Sequence, residues 1–89
     1  MKLTIYGSTI CQDTLYALIK VKELGAEVDF HNITSYLPDL RTFMTIREED
    51  PVYANVGRER VGMPLFILED GGKTIELEEV LSLLRGAQK

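Results

Sequence analysis

The sequence predicts a single α/β domain over residues 1–89, with strands and helices in the order β-α-β-α-β-β-α. Two strand-like segments alternate with helical patterns in the first half of the chain, which predicts a right-handed crossover between parallel strands. A continuous apolar run at residues 65–68 indicates a buried strand, and Asp70-Gly71 behind it indicates a hairpin. In this order, a four-stranded mixed sheet flanked by three helices buries the most apolar surface.

The first half of the chain begins with a short strand at residues 2–6. A helical pattern follows at residues 14–24, with Asp13 as its expected cap and Gly25 after its last turn. Residues 28–33 alternate apolar and polar side chains and predict the second strand. The side chains that the helical pattern predicts to be buried are Leu15, Leu18, Ile19, Val21 and Leu24.

A second helix is predicted after this strand, where Thr34 and Ser35 are candidate caps and Pro38 suits the first turn. Pro51 ends the helix, because the residue before a proline avoids the α region. The side chains predicted to form its buried face are Leu37, Leu40, Phe43, Met44 and Ile46.

The second half of the chain begins with residues 51–62, which lack a clean period and predict a loop or an irregular extension. After the strand at residues 65–68 and the turn at residues 69–72, residues 73–75 are expected to return as an edge strand. Residues 76–84 predict the last helix, with acidic residues in its first turn. Its expected buried face consists of Leu77, Val80, Leu81 and Leu84.

Composition narrows the class of protein and its partners. The net charge is −4 with no basic run, so nucleic acid is not an expected partner. No segment approaches the roughly 18 apolar residues of a membrane span, and the first residues do not form a signal peptide. A lone cysteine forms no internal disulfide, which favours a reducing compartment, and we expect the cytoplasm. The lone histidine, His31, is expected to be solvated or locally hydrogen-bonded, and no metal is expected.

Cys11, the only cysteine, lies between the first strand and the first helix. Free amide groups at the amino end of a helix carry partial positive charge, which stabilises a thiolate. A thiol at this position is therefore a candidate nucleophile. The alternative is a half-buried cysteine that packs as a small apolar residue.

The second informative segment is Gly62-Met63-Pro64-Leu65, because a proline that opens a buried strand removes a donor from the ladder. A cis Met63–Pro64 bond is one explanation, since it turns the chain and leaves the Met63 N–H and C=O to pair with an extended peptide. The other is a trans proline at the first residue of an edge strand.

Four segments together resemble the glutaredoxin family of the thioredoxin fold, above all its small bacterial glutaredoxin-related proteins. The likeness covers nearly the whole chain and rests on residues 2–7, 11–14, 61–67 and 70–71. The resemblance implies that Cys11 is a nucleophile that attacks glutathione mixed disulfides. It also implies a cis Met63–Pro64 bond in a loop that pairs with the glutathione backbone. Glutathione is then a co-substrate, and the partners are glutathione or glutathionylated protein thiols.

Thr14 stands where the family's Cys-x-x-Cys motif has its second cysteine, so the resemblance implies a monothiol route. The Thr14 hydroxyl donates to the Cys11 sulfur or serves the backbone, and the sequence leaves both open. No basic residue directly precedes Cys11, and Glu76-Leu77 stands where the family has Gly-Gly before the last helix. Arg58 and Arg60 are therefore the candidate partners for glutathione carboxylates.

The leading prediction is a monothiol glutaredoxin-like thiol–disulfide oxidoreductase that acts on glutathione mixed disulfides. The alternative is a non-catalytic thioredoxin-fold module that binds a partner peptide or senses redox state. A third candidate is an iron–sulfur carrier, in which two subunits each supply Cys11 and a bound glutathione. The segment 11–14 reads Cys-Gln-Asp-Thr, however, and does not match the Cys-Gly-Phe-Ser motif of monothiol glutaredoxins.

Overall fold

The computed structural model of the protein describes residues 1–87 and shows an α/β fold in the predicted order. The predicted domain also includes residues 88 and 89, which lie outside the described range. No helix between residues 1 and 87 has the length and apolar character needed to cross a membrane. The elements are β1 Lys2–Gly7, α1 Gln12–Glu23, β2 Glu27–Asn32, α2 Leu37–Glu49, a short 3-10 helix Pro51–Tyr53, β3 Leu65–Ile67, β4 Lys73–Thr74 and α3 Leu77–Ala87.

The four strands form one mixed sheet in the order β2-β1-β3-β4, which is a thioredoxin-like topology. β1 runs parallel to β2 and places Leu3 beside Val28. It runs antiparallel to β3 and places Tyr6 beside Leu65. β4 pairs only with β3 and forms the edge of the sheet. The predicted fold class, the parallel first pair and the edge strand are therefore confirmed.

Helices cover both faces of the sheet, because side chains alternate along each strand. Leu3 and Ile5 of β1 belong to one apolar cluster and Tyr6 to the other. The first cluster joins the sheet to α1 and α3 and contains Leu3, Ile5, Ala17, Val21, Phe66, Val80, Leu81 and Leu84. The second joins the sheet to α2 and the 3-10 helix and contains Tyr6, Ile33, Phe43, Tyr53 and Leu65.

The buried face of α1 differs from the prediction. Thr14, Ala17 and Val21 are buried, whereas Leu15 is 41% and Ile19 is 58% exposed. The buried residues follow a single row at i, i+3 and i+7. Thr14 is polar and Ala17 is small, so neither stands out in a pattern of large apolar side chains. The prediction therefore selected the neighbouring row, which contains Leu15 and Ile19. The members of the predicted set that do contact the core are Leu18, Val21 and Leu24.

The predicted face of α2 is wrong at two positions. Phe43 is buried, and Leu40 and Ile46 pack against the second apolar cluster, but Leu37 is 55% and Met44 is 50% exposed. Met44 lies on an adjacent row of the helix. Leu37 lies in the first turn, within a segment (residues 34–38) that is exposed throughout.

The predicted side-chain caps are also wrong. Cys11 is the residue before α1, no side chain caps that helix, and Asp13 lies in its first turn. α2 likewise begins without a side-chain cap. Thr34 and Ser35 instead donate backbone N–H groups to Asn32, at distances of 3.1 and 3.2 Å. The residue directly before α2 is Tyr36, so Thr34 and Ser35 lie too early in the chain to occupy its cap position.

His31 links β2 to α2 and is locally hydrogen-bonded, one of the two environments expected for it. Its ring stacks on Tyr6 at a centroid distance of 4.5 Å. Its nitrogens lie 2.8 Å from Asp39 Oδ1 and 3.1 Å from Asp29 Oδ2. Burial alone lowers the pKa of His31, but the hydrogen bonds and charges of these two carboxylates outweigh it and raise the pKa above 6.5.

We expect His31 to make the stability of the fold depend on pH. Because its pKa is raised in the folded protein, the protonated imidazole stabilises the fold fully below the ordinary value of 6.5. That contribution is lost as the pH rises through the raised value. The urea midpoint of the wild type should fall over this interval, and that of His31→Gln should change less. Identical pH profiles for the two proteins would contradict the assignment.

Candidate functional site

The strand register brings the thiol and the proline loop together. Because Tyr6 of β1 lies beside Leu65 of the antiparallel β3, the chain that leaves β1 meets the chain that enters β3. Cys11 follows the first strand and Met63 precedes the other. Both line one cleft of about 280 Å³, whose lining is Cys11, Asp13, Arg60, Val61, Gly62, Met63 and Ile75.

Cys11 is the residue that opens α1, as the sequence indicated. Its backbone is extended (φ −101°, ψ 120°), and its carbonyl accepts the first helical hydrogen bond from Leu15 N at 3.1 Å. The Cys11 N–H donates to Ser8 O at 3.0 Å. The thiol is free, and the residue is partly exposed. Cys11 therefore stands at the end of the helix where amide groups lack partners within the helix, and its thiol is reachable from solvent.

Thr14 holds the start of α1 against the end of β1. It is fully buried, and its Oγ1 accepts a hydrogen bond from Ser8 N at 3.3 Å. This is the backbone interaction, one of the two that the sequence left open. A Cβ at Gly7 would lie 2.6 Å from both Oγ1 and Cγ2 of Thr14, so only glycine permits this approach.

The turn before Cys11 is tied to the end of β2 by a polar network that the sequence analysis missed. The Ser8 hydroxyl is buried, lies 2.8 Å from Thr34 Oγ1 and accepts a hydrogen bond from Ile10 N at 3.2 Å. Thr34 donates to Asn32 Oδ1, and Asn32 Nδ2 donates to Thr9 Oγ1 at 3.1 Å. The only signal in the sequence is a pair of hydroxyl residues beside the cysteine, a common feature of turns.

The other wall of the cleft is the loop that ends at Pro64. The Met63–Pro64 bond is cis, as the resemblance implied, and the trans alternative is wrong. Met63 is half-buried and Pro64 is buried. Pro64 lines an adjoining cleft of about 200 Å³, which shares Met63, Asp13, Arg60 and Ile75 with the Cys11 cleft.

One acidic residue and one basic residue border the Cys11 cleft. Asp13 and Arg60 are both exposed and lie on its rim, and neither forms an ion pair with another residue between 1 and 87. Arg58 does not line this cleft and borders a neighbouring cavity of about 840 Å³ beside α2, which shares only Arg60 and Val61 with the cleft. Of the two arginines that the sequence proposed, the structure therefore brings only Arg60 to the thiol.

The protein thus combines a thioredoxin-like topology with a single thiol at the start of the first helix. No family model, no curated protein and no solved structure matches this chain.

We expect Gly7→Ala to destabilise the fold, because its methyl group overlaps the buried Thr14. The free energy of unfolding should fall by about 1–3 kcal/mol, a typical cost of overpacking. Gly86→Ala in α3 is the matched control, since nothing lies within 4 Å of the added Cβ. It should change the free energy of unfolding by less than about 0.5 kcal/mol, because Gly86 is exposed and lies in the last turn of α3. Both free energies are measured by urea denaturation. Equal changes for Gly7→Ala and Gly86→Ala would contradict the close contact between Gly7 and Thr14.

Proposed function

We propose that the protein is a monothiol, glutaredoxin-like thiol–disulfide oxidoreductase that acts on glutathione mixed disulfides. One observation carries the proposal: Cys11 and Met63 line the same cleft at the amino end of α1. A thiol at the amino end of a helix is stabilised as a thiolate by the partial positive charge of the helix amides. The segment that contains Met63 lies on the same cleft as this thiol. A reaction that consumes reduced glutathione belongs in a reducing compartment, and we propose the cytoplasm.

The reaction has two exchange steps. The Cys11 thiolate attacks the glutathione sulfur of a mixed disulfide R–S–S–G, so that a Cys11–glutathione disulfide forms and the other sulfur leaves as a thiolate. That thiolate takes up a proton. The thiolate of a second glutathione then attacks the glutathione sulfur on Cys11, which releases the Cys11 thiolate and glutathione disulfide. In sum, one glutathione thiol reduces the mixed disulfide.

Met63 is the proposed partner for the backbone of the tripeptide. Among residues 1–87, no hydrogen bond uses the Met63 N–H or C=O. A backbone donor and acceptor without protein partners, next to a strand, offer an extended peptide a pair of strand-like hydrogen bonds. Such pairing would hold the substrate sulfur beside Cys11.

Arg60 is the proposed partner for a glutathione carboxylate. Arg60 borders the Cys11 cleft, and its guanidinium has no ion pair within the described chain. Guanidinium groups bind carboxylates through two parallel hydrogen bonds. Thr14, in this proposal, supports the substrate site indirectly, by holding the turn that carries Cys11.

Asp13 favours a second candidate function, a non-catalytic module that binds a partner peptide or senses redox state. Asp13 borders the same cleft as Cys11, and a negative charge there would oppose both a thiolate and an anionic tripeptide. Glu76 and Glu79, near the amino end of α3, line a neighbouring cavity together with Lys73 and Arg60. In such a module, Cys11 would be modified without turnover.

We expect Cys11→Ser to abolish turnover of a small glutathione mixed disulfide, because a serine hydroxyl is not ionised at neutral pH and forms no disulfide. Mass spectrometry after incubation with glutathione disulfide should show one added glutathione on the wild type and none on Cys11→Ser. A folded wild-type protein that does not turn over the mixed disulfide would contradict the oxidoreductase proposal. Binding of a glutathionylated peptide by that inactive protein would favour the alternative.

We expect Arg60→Ala to raise the KM for a glutathione mixed disulfide by up to about fivefold, the effect of one exposed ion pair. The value of kcat should change little, since the thiol is untouched. Arg58→Ala is the matched control, because it removes the same charge two residues away, outside the cleft. Equal KM values for the two variants would remove Arg60 from the binding site.

A further inference from the structure

The loop that forms the second wall of the cleft has no regular secondary structure of its own. Residues 57–62 lie between the 3-10 helix and β3, and they lead directly into Met63. Backbone carbonyls outside helices and sheets need other partners when they are not solvated. Four carbonyls of this loop, those of Gly57, Arg60, Val61 and Gly62, receive hydrogen bonds from two side chains outside it.

Arg47, in the last turn of α2, donates three of these hydrogen bonds. Its Nη2 donates to Gly57 O and to Arg60 O, each at 2.9 Å, and its Nε donates to Val61 O at 3.1 Å. One planar guanidinium thus holds three points along the loop. A lysine has a single ammonium group and does not reproduce this fork.

Tyr53 holds the loop at its next residue. Its hydroxyl donates to Gly62 O, and its side chain is 4% exposed. Burial raises the pKa of Tyr53 to about 12, so the hydroxyl keeps its proton and remains a donor. Gly62 has φ +82°, and a Cβ there would overlap the Tyr53 ring, so glycine is required at this contact.

The two side chains form one unit anchored in the second apolar cluster. The Arg47 guanidinium lies 4.8 Å from the centre of the Tyr53 ring. That ring meets Phe43 of α2 edge-on at 6.2 Å. The loop is therefore attached to α2 and the 3-10 helix as well as to β3.

We propose that Arg47 and Tyr53 are positioning residues for the peptide part of the substrate. They hold the loop that presents Arg60, Val61, Gly62 and Met63 to the Cys11 cleft, although neither borders that cleft. The inference rests on the proposed function. Loosening the loop should impair recognition of the peptide around a disulfide and leave the chemistry of the Cys11 sulfur unchanged, because α1 and the Ser8 network hold the thiol separately.

The test is stoichiometric exchange of the Cys11 thiol with two disulfides, glutathione disulfide and hydroxyethyl disulfide, which carries no peptide. The variants are Arg47→Lys and Tyr53→Phe, which keep the charge and the ring. Arg41→Lys is the matched control, because Arg41 is an exposed arginine of α2 whose side chain does not bond to the loop. Thermal denaturation reports whether each variant is folded.

We expect the wild type to react faster with glutathione disulfide than with hydroxyethyl disulfide. Arg47→Lys and Tyr53→Phe should slow the first reaction by about tenfold, as for a misplaced binding group, and change the second by less than about twofold. Arg41→Lys should match the wild type. Wild-type rates in both variants, equal loss of both reactions, or failure of both variants to fold would overturn the positioning role. A wild type that does not distinguish the two disulfides would instead overturn the proposed function itself.

Discussion

The antiparallel pairing of β1 with β3 is the constraint on which the site depends. With Tyr6 beside Leu65, the chain leaving β1 and the chain entering β3 must emerge at the same end of the sheet. Cys11 and Met63 lie far apart in sequence, yet the register places both on a single cleft. A shift of one residue would also exchange the buried and exposed faces of the strands, so the apolar clusters and the site are set by the same pairing.

Each wall of the cleft is held by polar side chains from a neighbouring element. The Ser8 hydroxyl ties the turn before Cys11 to Thr34 after β2, and the fit of Thr14 against Gly7 fixes the start of α1. On the other side, Arg47 donates hydrogen bonds to three carbonyls of the irregular loop. The two walls therefore depend on different contacts, and a substitution can alter one while the other keeps its geometry.

The sequence was informative where a signal is local. Proline and glycine mark the turns and the loop before β3, and apolar runs mark the strands, so the order of elements and the place of Cys11 were predictable. The buried row of α1 was missed because Ala17 contributes little to an apolar pattern. The contact of Ser8 with Thr34 and those of Arg47 with the loop were missed because the partners lie at least ten residues away and are hydroxyl or backbone groups without a distinctive pattern.

The most direct test of the account is a crystal structure of the protein after reaction with glutathione disulfide. The account predicts a disulfide between Cys11 and one glutathione, with the tripeptide extended along the cleft and its backbone hydrogen-bonded to the Met63 N–H and C=O. An unmodified Cys11, or an adduct whose tripeptide points away from Met63 into solvent, would contradict it.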